Sequence, residues 1–154
     1  MSVIFSRSCE YAIQSVLYLA RSNGKKAILL REISDSLSIP HHFLSKVLQL
    51  LCRSGIVSSQ KGIRGGFTLT MHAEQITLSD IVSAIDGDTF LNACVLGFPE
   101  CDSEHACPAH KRWTEARTII STMLSEETIA ELGNEFGKKL QYIQNTHNHI
   151  TSEK

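Results

Sequence analysis

The sequence predicts a mainly α-helical protein with a small β-hairpin, and three observations support this class. Apolar residues recur every three or four positions in several segments, which is the periodicity of amphipathic helices. Two β-prone runs, IVSSQ and FTLT, flank the stretch KGIRGG, as in a hairpin with a glycine-rich tip. The 154 residues are 42% hydrophobic and 20% charged, which is typical of a globular domain with a real core.

Three helices are predicted before the hairpin. Their apolar faces consist of Ala12, Val16, Leu19 and Ala20, then of Leu30, Ile33 and Leu37, then of Leu44, Val47, Leu48 and Leu51. Only the tight break Ser38-Ile39-Pro40 separates the second and third helices, because proline is tolerated in the first turn of a helix. Gly55 is expected to end the third helix.

More helices are predicted after the hairpin. Thr77 caps a fourth helix, with Asp80 at the capping-box position, and Gly87 ends it. A longer helix is expected from Pro108 onwards, and Ser125 is expected to open another short helix. The polar tail HNHITSEK is expected to fray.

Two short helices that meet at a tight turn, followed by a glycine-tipped hairpin, form a winged helix-turn-helix. The second helix of such a pair can read base edges in the DNA major groove, and a basic wing can reach phosphates or a minor groove. Residues 1–70 carry nine Lys or Arg against three Asp or Glu, whereas the remainder of the chain has a net charge of −7. This asymmetry favours DNA binding over a purely structural helical scaffold. The residues predicted to contact DNA are His41, His42, Ser45, Lys46, Gln49 and Arg53 on the third helix, and Lys61 and Arg64 on the wing.

The chain shows no features of secretion or membrane insertion. No run approaches the roughly 18 apolar residues of a membrane span, and the start MSVIFSRSCEYAIQ lacks the layout of a signal peptide. We therefore expect a cytoplasmic protein without membrane contact. In that reducing compartment, five cysteines favour metal binding or redox chemistry over a disulfide framework.

The stretch CVLGFPECDSEHACPAH contains a candidate metal site. Cys94, Cys101, Cys107 and His110 are spaced C-x6-C-x5-C-x2-H, and three thiolates with one imidazole suit an iron–sulfur cluster or zinc. The intervening residues are mostly acidic, which disfavours a zinc finger that binds nucleic acid. Cys9 and Cys52 lie within helical patterns and are expected to pack as small apolar residues. No catalytic motif is present, so an enzyme is not predicted.

These segments together resemble the IscR/NsrR-type winged helix-turn-helix regulators that carry iron–sulfur clusters. The resemblance covers roughly residues 3–135, and the wing KGIRGGFTL and the cysteine loop together make it specific. It implies a homodimer that binds a partly palindromic double-stranded DNA site, with a long C-terminal helix at the dimer interface. It also implies a cluster held by Cys94, Cys101 and Cys107, with [2Fe–2S] favoured and [4Fe–4S] possible.

The resemblance leaves two candidates for the fourth ligand. His110 matches the branch that uses a histidine three residues after the last cysteine. Glu10 matches the branches that use a carboxylate of the first helix, although Gln14 stands where the redox-sensing branch has a histidine. The first cysteine gap is one residue longer than the common x5 spacing. His110 is preferred because it is local and an imidazole.

The predicted organisation is a winged helix-turn-helix domain at 1–87, a cluster-binding loop at 88–110, and a dimerisation helix with a short helix and tail at 111–154. The predicted function is an iron–sulfur-dependent transcriptional regulator, a repressor, that senses redox state, nitric oxide, or iron and iron–sulfur status. The alternative is a zinc-stabilised nucleic-acid-binding protein whose metal is purely structural.

Overall fold

The computed structural model describes residues 4–22, 26–62, 65–87, 92–99 and 103–151. Its elements are α1 (Arg7–Ala20), α2 (Leu30–Leu37), α3 (His41–Arg53), β1 (Val57–Gln60), β2 (Gly66–Leu69), a 3₁₀ turn (Ala73–Gln75), α4 (Leu78–Ile85), α5 (His110–Glu126) and α6 (Ile129–Thr151). The predicted class, mainly helical with one hairpin, is confirmed. No helix in the described ranges is long and apolar enough to cross a membrane.

The predicted break Ser38-Ile39-Pro40 forms the turn between α2 and α3. Ser38 adopts a left-handed conformation with φ 54° and ψ 37°, which ends α2. The buried hydroxyl of Ser34 donates to the carbonyl of Ile39 at 2.7 Å, so a polar group inside the turn is satisfied. Pro40 occupies the N-cap of α3, where no intrahelical N–H bond is needed. The apolar face of α3 (Leu44, Val47, Leu48, Leu51) is buried together with residues of α1, α2 and α6, in the hydrophobic cluster that we call the main core.

The wing is an antiparallel hairpin with an additional strand-like contact. β1 pairs with β2 in the register Val57↔Leu69 to Gln60↔Gly66. Ile28 pairs with Phe67 through two backbone hydrogen bonds of 2.9 and 2.8 Å, which attach the hairpin to the segment before α2. Gly66 crosses Ile28 with φ 137°, and a Cβ there would lie 2.5 Å from the Ile28 carbonyl oxygen. The position therefore requires glycine.

α4 begins as the sequence predicts. The Asp80 carboxylate accepts the Thr77 N–H at 2.8 Å, and the Thr77 hydroxyl accepts the Asp80 N–H at 3.3 Å, which completes the capping box. Val82 of α4, Cys9 of α1 and Leu124 of α5 form a second buried cluster. We call these three residues the small core, because they join α1, α4 and α5.

The C-terminal part differs from the sequence prediction. α5 begins at His110, two residues after Pro108, and α6 begins at Ile129 and extends over 23 residues. The prediction of a short helix opened by Ser125 is therefore wrong in extent, and the helix continues through Thr151 into the segment that was expected to fray. Thr128, not Ser125, caps α6: the Glu131 carboxylate accepts the Thr128 N–H at 3.0 Å. Packing also supports the longer helix, because Ile129 and Leu140 are buried in the main core.

Candidate functional site

The predicted DNA-contacting side of α3 faces solvent. His41, His42, Lys46, Gln49 and Arg53 are exposed, and Ser45 is half-buried. The surface carries no carboxylate, since the sequence has no Asp or Glu between Asp35 and Glu74. We call these six residues of α3 the recognition face. The arrangement leaves polar and basic side chains available to an anionic groove.

Phe43 is an additional exposed residue at the start of α3 that the sequence analysis did not select. Its side chain is 49% exposed, and its ring centroid lies 4.1 Å from that of His42. It falls outside the apolar face of α3, and that displacement is the sequence signal that could have identified it. An exposed aromatic beside polar donors can contact the methyl group of a thymine.

The structure describes the wing tip only at its two ends, at Lys61 and Gly62 and at Gly65. The N–H of Gly65 donates to the carbonyl of Gly62 at 2.8 Å, and Lys61 at the start of the tip is exposed. Arg64 lies outside the described residues. Lys61 is thus placed on the solvent side of the hairpin, as expected for a phosphate contact.

Two of the predicted metal ligands come together although they are 13 positions apart in the sequence. The Sγ atoms of Cys94 and Cys107 are 3.7 Å apart. This is much longer than the roughly 2.05 Å of a disulfide. Two sulfurs bound tetrahedrally to one metal atom at about 2.3 Å lie roughly 3.8 Å apart. The pair therefore has the spacing of two thiolates that share a metal.

The surroundings of Cys94 favour its thiolate. Burial of the thiol opposes ionisation, but hydrogen bonds from the backbone amides of Leu96 and Phe98, the thiol of Cys107 and the amide of Gly97 outweigh burial and lower the pKa of Cys94. Gly97 permits this turn with φ 77°, and its N–H also reaches the Cys94 carbonyl at 2.9 Å. Because thiolates are the form that binds metal, the turn prepares Cys94 as a ligand.

The described loop is attached to the start of α5. The indole N–H of Trp113 donates to the carbonyl of Ala93 at 2.8 Å, next to Cys94. The N–H of His110 donates to the carbonyl of Cys107 at 2.9 Å, so His110 is the first residue of α5 and directly follows the cysteine turn. Nothing in the sequence pattern indicates this bond, because Ala93 and Trp113 are 20 positions apart. The indole N–H of a partly buried tryptophan usually finds such a partner.

The structure brings together part of the predicted ligand set. Cys101 lies outside the described residues, and within the described ranges no group of three or more His, Cys, Asp or Glu side chains is placed to hold a metal ion. Glu10 is mostly buried on α1, and its carboxylate lies 3.3 Å from the guanidinium of Arg7. Cys94 and Cys107 are thus the two predicted ligands whose proximity is observed.

The other described cysteines behave differently from this pair. Cys9 is fully buried in the small core, and burial, together with the nearby Asp86 carboxylate, raises the pKa of Cys9 to about 12. Cys52 is half-buried, and burial raises the pKa of its thiol. Both are therefore neutral thiols, as expected for packing residues.

Asp86 makes a connection that the sequence did not reveal. Its carboxylate accepts the N–H of Ser6 at 2.9 Å and also the Ser6 hydroxyl. Ser6 is the N-cap of α1, and Asp86 is the last residue before Gly87 and the cysteine loop. The C-terminal end of α4 is thereby held at the N-terminal end of α1.

Comparison with known proteins gives one consistent family. Residues 5–135 match the family described as "Rrf2: Iron-dependent Transcriptional regulator". An HTH-type transcriptional regulator of Aquifex aeolicus is 36% identical over 135 residues, which cover 86% of this chain and 92% of that protein. The HTH-type transcriptional regulator IscR of Sodalis glossinidius is 30% identical over 122 residues, covering 79% and 73%.

Solved structures share the fold. CymR, the global cysteine regulator of B. subtilis, superposes with a TM-score of 0.75 at 22% identity, covering 86% of this chain and 98% of that one. IscR of T. potens superposes with a TM-score of 0.69 at 21% identity, covering 88% of each chain. At these identities the likeness concerns the fold, and it confirms the helical architecture with its two-stranded wing.

Proposed function

We propose an iron–sulfur-dependent regulatory function on one premise: the chain belongs to the Rrf2 family of transcriptional regulators. It is accordingly a helix-turn-helix regulator of transcription and not an enzyme. The further proposal is that it binds a partly palindromic DNA site as a cytoplasmic homodimer and represses transcription. A cluster in the cysteine loop would report redox state, nitric oxide, or iron and iron–sulfur status.

The 3.7 Å separation of the Cys94 and Cys107 sulfurs carries the metal part of this proposal. That spacing suits iron and zinc equally, and the description of the family as iron-dependent favours iron. The backbone amides around Cys94 would also compensate negative charge on a cluster. Cys94, Cys101, Cys107 and His110 would hold it, with [2Fe–2S] favoured over [4Fe–4S] and Glu10 as the alternative fourth ligand. When bound, it would supply a redox-active, chemically labile group.

The recognition face supports the DNA part of the proposal. Lys46 and Arg53 are exposed on it without a neighbouring carboxylate in the sequence, and Lys61 extends the basic surface onto the wing. His41, His42, Ser45 and Gln49 would read base edges, and Arg64 would complete the wing contact. We expect operator affinity to fall steeply with salt, because contacts with phosphates release counterions.

α5 is the proposed dimer helix. Ile119 is 71% exposed and Met123 is 45% exposed, whereas Leu124 of the same helix is buried. Association through this exposed side would pair two recognition faces, as a palindromic site requires. Since Trp113 fixes the cysteine loop to the same helix, a change in the loop could alter the spacing of the two recognition faces.

Metal analysis of anaerobically purified protein tests the cofactor. We expect a coloured protein that contains iron and acid-labile sulfide, and loss of both in Cys94→Ser and Cys107→Ser. Cys52→Ser is the matched control and keeps both. A colourless protein with stoichiometric zinc after iron and sulfide reconstitution would support the structural-zinc alternative instead. His110→Ala is expected to alter the absorption spectrum; if Glu10→Ala does so in its place, Glu10 is the fourth ligand.

Operator titrations at fixed salt test the switch. We expect the loaded protein to bind its primary operator roughly 5–150-fold more tightly than the metal-free protein, the range of typical coupling energies. Cys94→Ser is expected to bind like the metal-free form. Equal affinities for all three would reduce the metal to a structural role. A footprint without dyad symmetry would contradict the homodimer.

A further inference from the structure

A cavity of about 730 Å³ lies apart from the recognition face and the cysteine loop. It opens between the C-terminal end of α1, the segment that leaves β2 through the 3₁₀ turn, and the first turns of α6. Its size falls within the roughly 300–1,000 Å³ of small-molecule sites. Neither the cluster nor the DNA proposal uses it.

The lining combines a small apolar floor with a rim of opposite charges. Ala20, Leu69 and Ile129 line the floor, and Arg21 and Glu74 bring one cation and one anion to the rim. In the described part of the chain neither charge forms a salt bridge. The Arg21 guanidinium rests over the Tyr18 ring, 5.8 Å from its centroid, which orients it without neutralising it.

Further polar side chains complete the rim. The N–H of His72 donates to the Gln75 side-chain oxygen at 3.3 Å, and the His72 ring accepts the Gln75 N–H in return. This capping box fixes the wall on the side of the 3₁₀ turn. Asn134 lines the opposite side, and no atom lies within 4 Å of the point where a Cβ on Gly133 would sit. The space over α6 is therefore open to a ligand.

We propose that this cavity binds a small zwitterion, a free amino acid or a dipeptide. Its carboxylate would pair with Arg21, since guanidinium binds carboxylates through two parallel hydrogen bonds. Its ammonium group would pair with Glu74, and its side chain would cover the apolar floor. A purely anionic or purely cationic ligand would leave one rim charge uncompensated, which is unfavourable once a ligand excludes water.

The cavity also touches the attachment of the wing. Thr70 and Met71 of its wall follow β2 directly, and the Thr70 N–H donates to the carbonyl of Ile56 at 3.1 Å, just before β1. A ligand that bridges this wall and α6 would restrain the wing relative to the helices. An effect on operator affinity rests on the proposed DNA-binding function; binding of the zwitterion does not.

Titration calorimetry on the full chain without DNA tests the site. The probes are the protein amino acids and dipeptides made from them, which separates the two sources of a zwitterion. We expect saturable binding of at least one probe. Arg21→Gln and Glu74→Gln each weaken it about tenfold or more, the loss expected for a charged hydrogen bond. Arg31→Gln is the charge-matched control, because Arg31 lies on α2 and pairs with Asp35.

Filling the cavity gives a test that does not depend on charge. Gly133→Met has free space and is expected to abolish binding, whereas Gly137→Met, one turn further along α6 and outside the lining, keeps it. Circular dichroism and urea unfolding verify that both variants fold. No saturable binding of any probe to wild type, or undiminished binding to folded Gly133→Met, overturns the site.

An operator titration with and without the best probe tests the link to the wing. A shift of about fivefold or more in wild type but not in Gly133→Met supports it. An unchanged affinity overturns the link while calorimetry still supports the site. Absence of all DNA binding would instead overturn the proposed function and leave the calorimetric result standing.

Discussion

Replacing Gly66 with alanine tests whether the contact with Ile28 holds the wing to the helices. The φ of 137° at Gly66 costs an L-residue about 1–3 kcal/mol. The new Cβ would also lie 2.5 Å from the Ile28 carbonyl oxygen and 2.6 Å from its carbon, both backbone atoms, so β2 must move. Movement breaks the two Ile28–Phe67 hydrogen bonds, at about 1 kcal/mol each. We expect a loss of about 3–5 kcal/mol in the free energy of unfolding.

Urea unfolding followed by circular dichroism measures this loss. Gly137→Ala is the matched control: it has open space within a helix, so it is expected to stabilise the protein by about 0.5–1 kcal/mol. The same substitution therefore has opposite signs at the two positions. If Gly66→Ala unfolds within about 0.5 kcal/mol of wild type, the reasoning about the Ile28 contact is refuted. Weaker operator binding is expected alongside the loss, because the wing is displaced.

Three further predictions concern the junctions between helices. Leu124→Ala removes a fully buried side chain of the small core and is expected to cost about 2–5 kcal/mol in urea unfolding, whereas Leu29→Ala, at an exposed leucine outside the proposed interfaces, costs little. Hydrogen bonds from the Thr128 backbone and hydroxyl lower the pKa of Glu131 below its usual 4.5. The stability that the ionised Glu131 carboxylate contributes to the folded protein is therefore complete above pH 4.5, and it is lost as pH falls through the lower pKa of the folded state. In thermal melts, acidification is expected to destabilise wild type more than Glu131→Gln. Asp86→Asn keeps the shape of the side chain but removes the charged carboxylate whose two oxygens accept the Ser6 N–H and hydroxyl. We therefore expect faster amide hydrogen exchange in the first turn of α1.

Local chemistry explains which elements the sequence could predict. The α4 capping box and the break at Ser38 are written in neighbouring residues, so the structure reproduces them. The start of α6 was missed although Thr128 and Glu131 form the same kind of box, because Ser125 offered a competing cap. The pairing of Ile28 with Phe67 joins segments far apart in the chain, and one isolated strand residue leaves no periodicity to detect.

The candidate site shows the same division. Spacing and residue type identified Cys94 and Cys107, but their 3.7 Å approach depends on the turn at Gly97 and on the Trp113 bond to Ala93. The backbone amides that lower the pKa of Cys94 have no residue-type signature at all. The cavity beside α6 was likewise invisible, because its walls come from α1, the 3₁₀ turn and α6.

The small core gives the proposed switch a physical route that avoids the DNA surface. Trp113 ties the loop to α5, Leu124 of α5 packs with Cys9 and Val82, and α1 in turn packs against α3. Close-packed cores pass on displacements instead of absorbing them, so a shift of α5 would move α1 and with it the recognition face. Asp86, at the C-terminal end of α4, adds a second link between α4 and α1 through Ser6. A metal bound between Cys94 and Cys107 could therefore change operator affinity without touching a residue that contacts DNA.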